Sequence, residues 1–416
     1  MDKHSSLRIK RQSLYNFDYN ITRRILLISL ALFFGINASM NFSINTEEQF
    51  TNLAQSFLQG ELHFSGPALN NLSDMTPHNG KYYWPLGPFP AVLLMPFVFT
   101  ANFIGLNFNQ GYLQLLLVLG LFLIIYRLAL RVGYKDEDSL FMAFGFIFST
   151  AFIGVGLWPW SWYFAQVVTC FLVFLAVSEM LDRKRPLIIG SLFALTLATR
   201  ATAALGLLWF IGETLVGNDS RSGKLKSIAI ACLPCLFILA LLFEYNHIRF
   251  GNIFEQGYMQ QIIPPHAEAA RSLGLFSLNH LPGNLYHLFL ATPVPVLRGE
   301  EMPVLTFPFI TNNPWGMSIF ITSPCFIYLF TLKLRDKLSL IILSTVTITA
   351  IPILLYYGVG FRQFGYRYSL DFLPLLYFLL MRNYYYQKGN LSSAFKVLVL
   401  ASAFLNLYIF SYYYVL

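Results

Sequence analysis

Three acidic residues in the first quarter of the chain have the side-chain type and the position that acid–base chemistry requires. Glu47 and Glu48 follow directly after the first long apolar segment, and Asp74 comes later in the same polar stretch. A carboxylate at a membrane surface is partly desolvated, which raises its pKa toward the range useful for a general base. We therefore take Glu47, Glu48 and Asp74 as candidate catalytic residues. The alternative is that Glu47 and Glu48 are solvated charges at a helix N-terminus.

Four arginines are candidates for binding an anion, because each is close to the end of an apolar segment. They are Arg200, Arg249, Arg362 and Arg367. An arginine at headgroup depth offers paired N–H donors, which suit the phosphate of a lipid-linked substrate. The alternative is that they are anchors whose long side chains reach the interface. Arg200 fits that alternative least, since it interrupts an apolar run in which an unpaired charge is costly.

The histidines and cysteines do not follow the pattern of a metal or redox site. Six of the seven histidines fall in two long polar segments, without the HxxH or HxxxH spacing of a zinc site. Cys232 and Cys235 have redox spacing but lie in an apolar run, so buried thiols are the preferred interpretation. The cofactor is therefore unknown at this stage: the sequence neither excludes a divalent metal nor indicates one.

Composition places these residues in an integral membrane protein. The 416 residues are 56% hydrophobic and 12% charged, whereas soluble domains carry about 25% charged residues. The net charge of +8 does not indicate nucleic acid, and we expect no nucleic-acid partner. Its distribution along the chain carries more information, because Lys and Arg concentrate on the cytoplasmic side of membrane proteins.

Eleven segments are candidates for membrane-spanning helices, each of which needs about 20 apolar residues. The fold class we predict is an all-α polytopic membrane protein, with one domain over residues 1–416 and no separate soluble domain. The candidates are 25–43, 112–130, 139–157, 163–181, two short helices within 187–216 that turn at Arg200, 226–245, 316–332, 338–357, 369–381 and 393–414.

The segment 88–106 is ambiguous, and the distribution of Lys and Arg decides its interpretation. If it does not cross the membrane, 21 of the 28 Lys and Arg residues are cytoplasmic; if it crosses, 12 are. The positive-inside rule favours the first arrangement. Pro88, Pro90 and Pro96 also interrupt any helix there. We predict that the segment lies in the outer interface, that the N-terminus is cytoplasmic, and that 44–111 and 247–315 are external.

Several sequence blocks resemble the GT-C superfamily of membrane glycosyltransferases. The blocks are similar to bacterial and archaeal members related to protein O-mannosyltransferases and lipid A aminoarabinose transferases. In chain order they are "TEEQFTNLAQSFLQGEL", "DMTPHNGKYYWPLGPFPAVLLMPF", "WYFAQ", "LALTLATRATAAL", "YNHIRFGNIFEQGY", "NNPWGMSIFITSP" and "FGYRYSLDFLPLL". They cover most of the chain from 45 to 375. The resemblance implies a GT-C-like bundle with juxtamembrane helices in the first external segment.

The resemblance also implies a reaction. Such enzymes transfer a sugar from a polyprenyl phosphate to a hydroxyl group of a glycan, lipid or protein acceptor, with inversion, at the outer face of the plasma (inner) membrane. An acid in the first external segment is the base; its position matches Glu47 or Glu48, and Asp74 matches a second acid. Basic residues hold the lipid phosphate. The candidates for that role are Lys81, Arg200, Arg249 and Arg367, and the candidates for other substrate contacts are His78, Tyr82, Tyr83 and Tyr258.

Three other interpretations remain open at the level of sequence. A lipid or glycan transporter or flippase would carry ionisable residues near the membrane midplane on several helices. Here Glu244 and Arg200 are the chief embedded candidates, and most other charges lie at segment ends. The second alternative is a polymerase or ligase of lipid-linked glycans. The third is a non-catalytic subunit with the same fold.

Overall fold

The architecture is a bundle of α-helices with two small β-hairpins. The structure, a computed structural model, describes residues 3–43, 47–65, 72–299 and 303–414. In this part of the chain the helices are α1 Lys3–Phe42, α2 Gln49–Leu58, α3 Phe89–Phe103, α4 Gln110–Val132, α5 Asp136–Phe148, α6 Phe152–Leu157, α7 Ser161–Leu181, α8 Pro186–Leu197, α9 Leu207–Val216, α10 Arg221–Phe250, α11 Pro265–Arg271, α12 Leu281–Phe289, α13 Ile319–Thr322, α14 Lys337–Leu355, α15 Leu373–Lys388 and α16 Ser393–Tyr414. The strands are β1 Thr76–His78, β2 Lys81–Tyr83, β3 Val294–Arg298 and β4 Val304–Thr311.

Six helices in the described residues are long and apolar enough to cross a membrane. They lie at Ile21–Phe42, Gln110–Val132, Ser161–Leu181, Arg221–Phe250, Lys337–Leu355 and Ser393–Tyr413. These helices support an integral membrane protein, while the predicted number of about eleven spans is not confirmed. Shorter apolar helices occur at Phe89–Phe103, Pro186–Leu197 and Ala203–Val216.

Three predicted spans are interrupted in the structure. The segment predicted at 139–157 is divided into α5 and α6 by a turn around Ser149 and Thr150. The Thr150 hydroxyl accepts from the amide of Phe152 and donates to the carbonyl of Phe146, so the side chain replaces helical hydrogen bonds at the break. The segment at 316–332 contains the four-residue α13 and a 3-10 helix over Pro324–Phe330 in place of a long helix. The segment at 369–381 starts within the 3-10 helix Arg367–Asp371, and α15 follows from Leu373.

The run 187–216 agrees with its prediction, whereas the expectation that prolines interrupt any helix over 88–106 is wrong. The run 187–216 forms two short helices, α8 and α9, on either side of the turn that contains Arg200. The ambiguous segment 88–106 forms α3, which has 15 residues and contains Pro96. At about 1.5 Å per residue this helix is shorter than a hydrocarbon core of about 30 Å. Its position relative to a membrane stays a prediction.

The hairpin of β1 and β2 lies within the first predicted external segment and was not foreseen from the sequence. Asn79 and Gly80 form its two-residue turn, and both have positive φ. Asn-Gly favours the turn type in which both central residues are left-handed. β3 and β4 form a second antiparallel hairpin, between α12 and α13.

Close backbone contacts fix the elements that surround the site. A Cβ at Gly190 of α8 would lie 2.0 Å from the carbonyl oxygen of Ala231, so glycine permits α8 and α10 to cross in direct contact. A Cβ at Gly87 would lie 2.2 Å from the carbonyl oxygen of Ala198, which also accepts from the amide of Phe89 at 3.0 Å. Segment 85–88 is therefore attached to the end of α8.

The spans differ greatly in how far they are buried within the protein. The most apolar window of α7 is 78% buried, which places α7 in the centre of the bundle, whereas that of α10 is 6% buried. An apolar helix with so much exposed surface is expected to contact lipid over most of that surface.

Candidate active site

Asp74 occupies a backbone position that other segments of the chain hold in place. Its φ is 63°, in the left-handed region. Its amide donates to the carbonyl of Ile262 at 2.9 Å, and the amide of Ile262 donates to the carbonyl of Met75 at 2.8 Å. These paired bonds join the first and second predicted external segments beside the carboxylate.

The carboxylate of Asp74 receives two side-chain donors. The indole N–H of Trp162, in the first turn of α7, donates to Oδ2 at 3.0 Å. The amide of Gln261 donates to the Asp74 main-chain oxygen at 3.0 Å and approaches Oδ1 at 3.3 Å. Neither partner was foreseen from the sequence, because they lie 88 and 187 residues away from Asp74.

Burial raises the pKa of Asp74 to about 6. The hydrogen bond from Trp162 opposes that rise, the negative charge of Glu47 adds to it, and the positive charge of Arg367 again opposes it. A carboxylate with this pKa is mostly ionised at neutral pH and is a stronger base than an exposed one. Asp74 therefore has the protonation behaviour of a general base.

Glu47 and Glu48 have different surroundings although they are adjacent. Glu48 Oε2 accepts from the main-chain amide of Gln110 at 3.0 Å and from the hydroxyl of Thr51 at 2.7 Å. It thereby caps the start of α4, and its own burial raises its pKa. Glu47 is half-buried, and its carboxylate accepts from Gln49 at 2.9 Å. The structure thus brings Glu47 near Asp74 and ties Glu48 to helix packing.

A cavity of about 560 Å³ lies next to Asp74, with Trp162 in its wall. Most of its lining is apolar, and Arg200, Arg249 and Tyr258 are among its polar residues. The apolar wall comes from α10 and from the end of α14, and includes Leu239, Leu242, Phe243, Pro352 and Ile353. A long apolar cavity with cationic groups suits an amphiphile that carries a phosphate.

Arg200 is paired with Asp371, an acid that also lines the cavity. Its Nε is 2.5 Å from Asp371 Oδ1, and its Nη2 is 3.0 Å from Oδ2. The hydroxyl of Thr202 also donates to Asp371. Both charged side chains are almost fully buried, so the pair compensates the charge that Arg200 brings into an apolar run.

Arg249, at the end of α10, is buried against neutral groups. Nη1 donates to the carbonyl of Trp84 at 2.9 Å, and Nη2 donates to Asn246 Oδ1 at 2.7 Å. The guanidinium lies 3.8 Å from the ring centre of Tyr245. Within the described part of the chain no carboxylate lies within 4 Å of it. Glu255, which also lines the cavity, acts on Arg249 from beyond that distance, so in the described residues the guanidinium brings a positive charge to the cavity without an ion pair.

Arg367 lies on the Asp74 side of the site. Its side chain is buried, and Nε and Nη1 have no hydrogen-bond partner in the parts of the chain that the structure describes. Its guanidinium lies 4.9 Å from the ring centre of Tyr368, and Arg200 lies 5.6 Å from the same ring. Tyr368 thus contacts both cations, and Arg367 keeps donors available for an anion.

Four of the predicted substrate-contacting residues lie on the β1–β2 hairpin and do not line the cavity. Lys81 is exposed on β2, opposite His78 on β1. The rings of His78 and Tyr83 pack against Phe250 at 5.4 and 5.3 Å. Tyr82 is half-buried, and its carbonyl accepts from Phe64. These residues support the end of α10 next to Arg249, and Tyr258 alone of the predicted tyrosines lines the cavity in the described residues.

The described ranges contain no group of three or more His, Cys, Asp and Glu side chains that could hold a metal ion. The predicted candidate Arg362 is exposed and has a φ of 50°, and its carbonyl accepts from the hydroxyl of Tyr163.

Comparison with known proteins gives structural similarity without sequence matches. No protein-family model matches the chain, and no curated protein sequence matches it. One similar solved structure is the archaeal oligosaccharyltransferase AglB from Archaeoglobus fulgidus in complex with an inhibitory peptide and a dolichol-phosphate. Its TM-score is 0.45 at 13% identity, over 95% of this chain and 56% of that chain.

A second similar structure is the Archaeoglobus fulgidus oligosaccharyltransferase in the apo form. Its TM-score is 0.42 at 14% identity, over 94% of this chain and 55% of that chain. The chain therefore spans little more than half the length of either protein. The resemblance of the sequence blocks to GT-C membrane glycosyltransferases, with its finer placement near O-mannosyltransferases and aminoarabinose transferases, stays a prediction.

Proposed function

We propose that this chain is a membrane glycosyltransferase that moves a monosaccharide from a polyprenyl phosphate to a hydroxyl acceptor. The observation that carries the proposal is the juxtaposition of an apolar cavity containing Arg249 with the half-buried carboxylate of Asp74. Trp162 contacts both, as a wall of the cavity and as a donor to the carboxylate. Together these features provide a place for a lipid phosphate and a base, with Trp162 in contact with both regions.

The donor is assigned to the cavity by the chemistry of its lining. A polyprenyl chain requires apolar walls, which α10 and α14 supply. Its phosphate requires hydrogen-bond donors and positive charge, for which Arg249 and Tyr258 are suited. Arg200 adds a guanidinium whose charge Asp371 already offsets. We assign Arg249 the main electrostatic role, with Arg200, Arg367 and Tyr258 as further donors.

Asp74 is assigned the role of general base. The acceptor hydroxyl attacks the anomeric carbon, the bond from that carbon to the phosphate oxygen breaks, and the hydroxyl proton passes to the Asp74 carboxylate. Attack opposite the leaving phosphate inverts the anomeric centre. The phosphate leaves as an anion held by arginine, so no nucleotide is needed for the step.

Glu47 remains the alternative base, because the family resemblance matches the base to Glu47 or Glu48. Its position beside Asp74 fits a pair of acids in which one accepts the proton and the other raises its basicity. The hydrogen bonds of Glu48 to Thr51 and Gln110 favour a structural role for that residue.

The experiment offers purified protein in lipid nanodiscs a panel of radiolabelled polyprenyl-phosphate sugars, with source-membrane extract as acceptor. Release of polyprenyl phosphate with labelling of an acceptor supports transfer, and its loss in a folded Asp74→Asn or Glu47→Gln variant identifies the base. A folded wild-type protein that neither binds nor turns over any donor contradicts the proposal. Movement of an unaltered donor between leaflets would instead favour a transporter or flippase.

The acceptor class and the side of the membrane belong to the same proposal. The count of Lys and Arg residues supports an outer-face site in the plasma (inner) membrane and a cytoplasmic N-terminus. A glycan, a lipid and a protein all present hydroxyl groups that fit the reaction. Labelled products separated by solvent extraction and protease treatment distinguish these three acceptors.

A further inference from the structure

Trp162 is the one side chain that both lines the cavity and hydrogen-bonds Asp74, among the residues that the structure describes. It lies in the first turn of α7, the most deeply buried of the candidate spans. Its ring also packs against that of Trp84 at 5.4 Å. The carbonyl of Trp84 in turn accepts from Arg249. One connected path of contacts therefore runs from the carboxylate to the phosphate-binding arginine.

We propose that Trp162 is a positioning residue that orients the carboxylate of Asp74 toward the acceptor and couples it to the donor cavity. This inference rests on the proposed transferase function and deepens it. It assigns a role to Trp162, which is neither the base nor a phosphate-binding residue in that proposal.

The hydrogen bonds around Asp74 distinguish its two carboxylate oxygens. Oδ2 accepts the indole N–H at 3.0 Å, whereas Oδ1 has only the longer 3.3 Å approach of Gln261 among the described residues. The hydrogen bond to Oδ2 restricts rotation of the carboxylate plane. Oδ1, which has the weaker hydrogen bonding, therefore keeps a constant direction. Oδ1 is therefore the oxygen best placed to accept the acceptor proton.

A donor in the cavity would lie against the indole ring and exclude water from it. A drier environment strengthens the hydrogen bond between the indole N–H and Oδ2. The base is then fully oriented once the donor is bound. This order of events limits proton abstraction from a hydroxyl to complexes that already contain a sugar donor.

The substitution Trp162→Phe tests the role, because phenylalanine retains an aromatic wall and removes the N–H. The hydrogen bond lowers the pKa of Asp74, so its loss raises that pKa and moves the acid limb of the pH–rate profile upward. The groups that face Asp74 are otherwise Glu47, Arg367, Tyr357 and Gln261, and none of these is changed. We expect kcat to fall roughly tenfold to a hundredfold, with little change in the donor KM.

Trp209→Phe is the matched control. Trp209 is fully buried and stacks on Phe378, and its indole N–H has no hydrogen-bond partner in the described ranges. The control therefore removes an indole N–H from the core without touching the site. A Trp162→Phe variant with the control's kcat and pH profile overturns the positioning role. A raised donor KM with an unshifted pH profile also overturns the positioning role, because that result is expected if Trp162 acts only as a wall of the cavity.

A second readout separates this inference from the proposed function. The difference in tryptophan fluorescence between wild type and Trp162→Phe is followed from pH 4.5 to 8, with Asp74→Asn as reference. We expect a transition centred near the pKa of Asp74, about 6, that Asp74→Asn abolishes. A fluorescence difference that does not change with pH overturns the coupling between Trp162 and Asp74, even if the wild type transfers sugar. If the transition occurs in a protein that is inactive on every donor, the contact between Trp162 and Asp74 is supported and the transferase proposal is contradicted.

Discussion

Asp74 is fixed by hydrogen bonds from two other segments of the chain, whereas the cavity beside it is bounded by a helix that is largely exposed. Trp162 and Gln261 hold the base side, and α7 behind it is 78% buried. On the donor side, α10 supplies Leu239 and Leu242, yet its apolar window is 6% buried. Under the proposed function, this contrast places a fixed geometry at the base and an exposed helix beside the lipid-binding cavity.

The largest effect should come from removing the base. Asp74→Asn keeps the shape of the side chain and abolishes its basicity, so we expect kcat to fall by about 10²–10⁴-fold with donor affinity little changed. Release of radiolabelled polyprenyl phosphate and equilibrium donor binding measure the two quantities. Asp219→Asn, an exposed site before α10, is the control. Wild-type turnover in Asp74→Asn would move the role of base to Glu47.

The next effect should fall on donor binding. Arg249→Gln keeps a side chain able to donate to Trp84 and removes the positive charge from the cavity. Loss of one charge-assisted bond to phosphate weakens affinity by about 10- to 100-fold. Donor KM and equilibrium binding report the change, and Arg249→Lys should recover part of it. Unchanged donor affinity in Arg249→Gln would place the phosphate elsewhere, with Arg367 as the next candidate.

A change at the crossing of α8 and α10 should act on the donor side alone. In Gly190→Ala the new Cβ would lie 2.0 Å from the carbonyl oxygen of Ala231, so the helices must separate. We expect a loss of stability of about 1–3 kcal/mol and weaker donor binding, with the acid limb of the pH profile unmoved. Thermal unfolding in nanodiscs measures stability. Gly35→Ala, with nothing within 4 Å of its Cβ, is the control.

If the acid limb moves in Gly190→Ala, the two sides of the site are mechanically connected through more than Trp162. An unaltered melting temperature would mean that the helix pair accommodates the methyl group. Either result would weaken the contrast between a fixed base side and a looser donor side.

The smallest effect should be a shift in pH dependence. Glu47 raises the pKa of Asp74, so Glu47→Gln lowers that pKa and moves the acid limb below its wild-type position near pH 6. Activity therefore changes little at pH 7.5 and persists further into the acid range. The measurement is kcat/KM from pH 4.5 to 8, with Glu48→Gln alongside. A large loss at pH 7.5 in Glu47→Gln would instead identify Glu47 as the base.

The sequence predicted the parts of the site that depend on residue type and local pattern. It predicted two short helices around Arg200, which the structure has, and it indicated Asp74 as a candidate acid, whose role stays a prediction. It also indicated that a charge at Arg200 is costly unless paired. The partner, Asp371, lies 171 residues further along the chain, and no local pattern in a single sequence identifies a contact of that range.

The parts that the sequence did not predict depend on long-range packing or on short turns. Glu48 looks like a free acid next to Glu47, but its bond to Gln110 makes it a cap for α4. The Asn-Gly pair of the β1–β2 hairpin is a local turn signal, but the aromatic residues around it made the hairpin hard to recognise in the sequence. The interrupted span at 139–157 depends on hydrogen bonds of Thr150 that hydropathy does not register.

The length and exposure of α10 have a consequence for the lipid environment in which the protein works. Its 30 residues extend for about 45 Å, more than a hydrocarbon core of about 30 Å. Because lipid rather than protein surrounds most of this helix, its tilt responds to bilayer thickness. Arg249 sits at its end, so a thinner or thicker membrane displaces this cation relative to Arg200, which the bundle holds in place. Under the proposed function, we expect bilayer thickness to change how the donor phosphate fits between these two arginines.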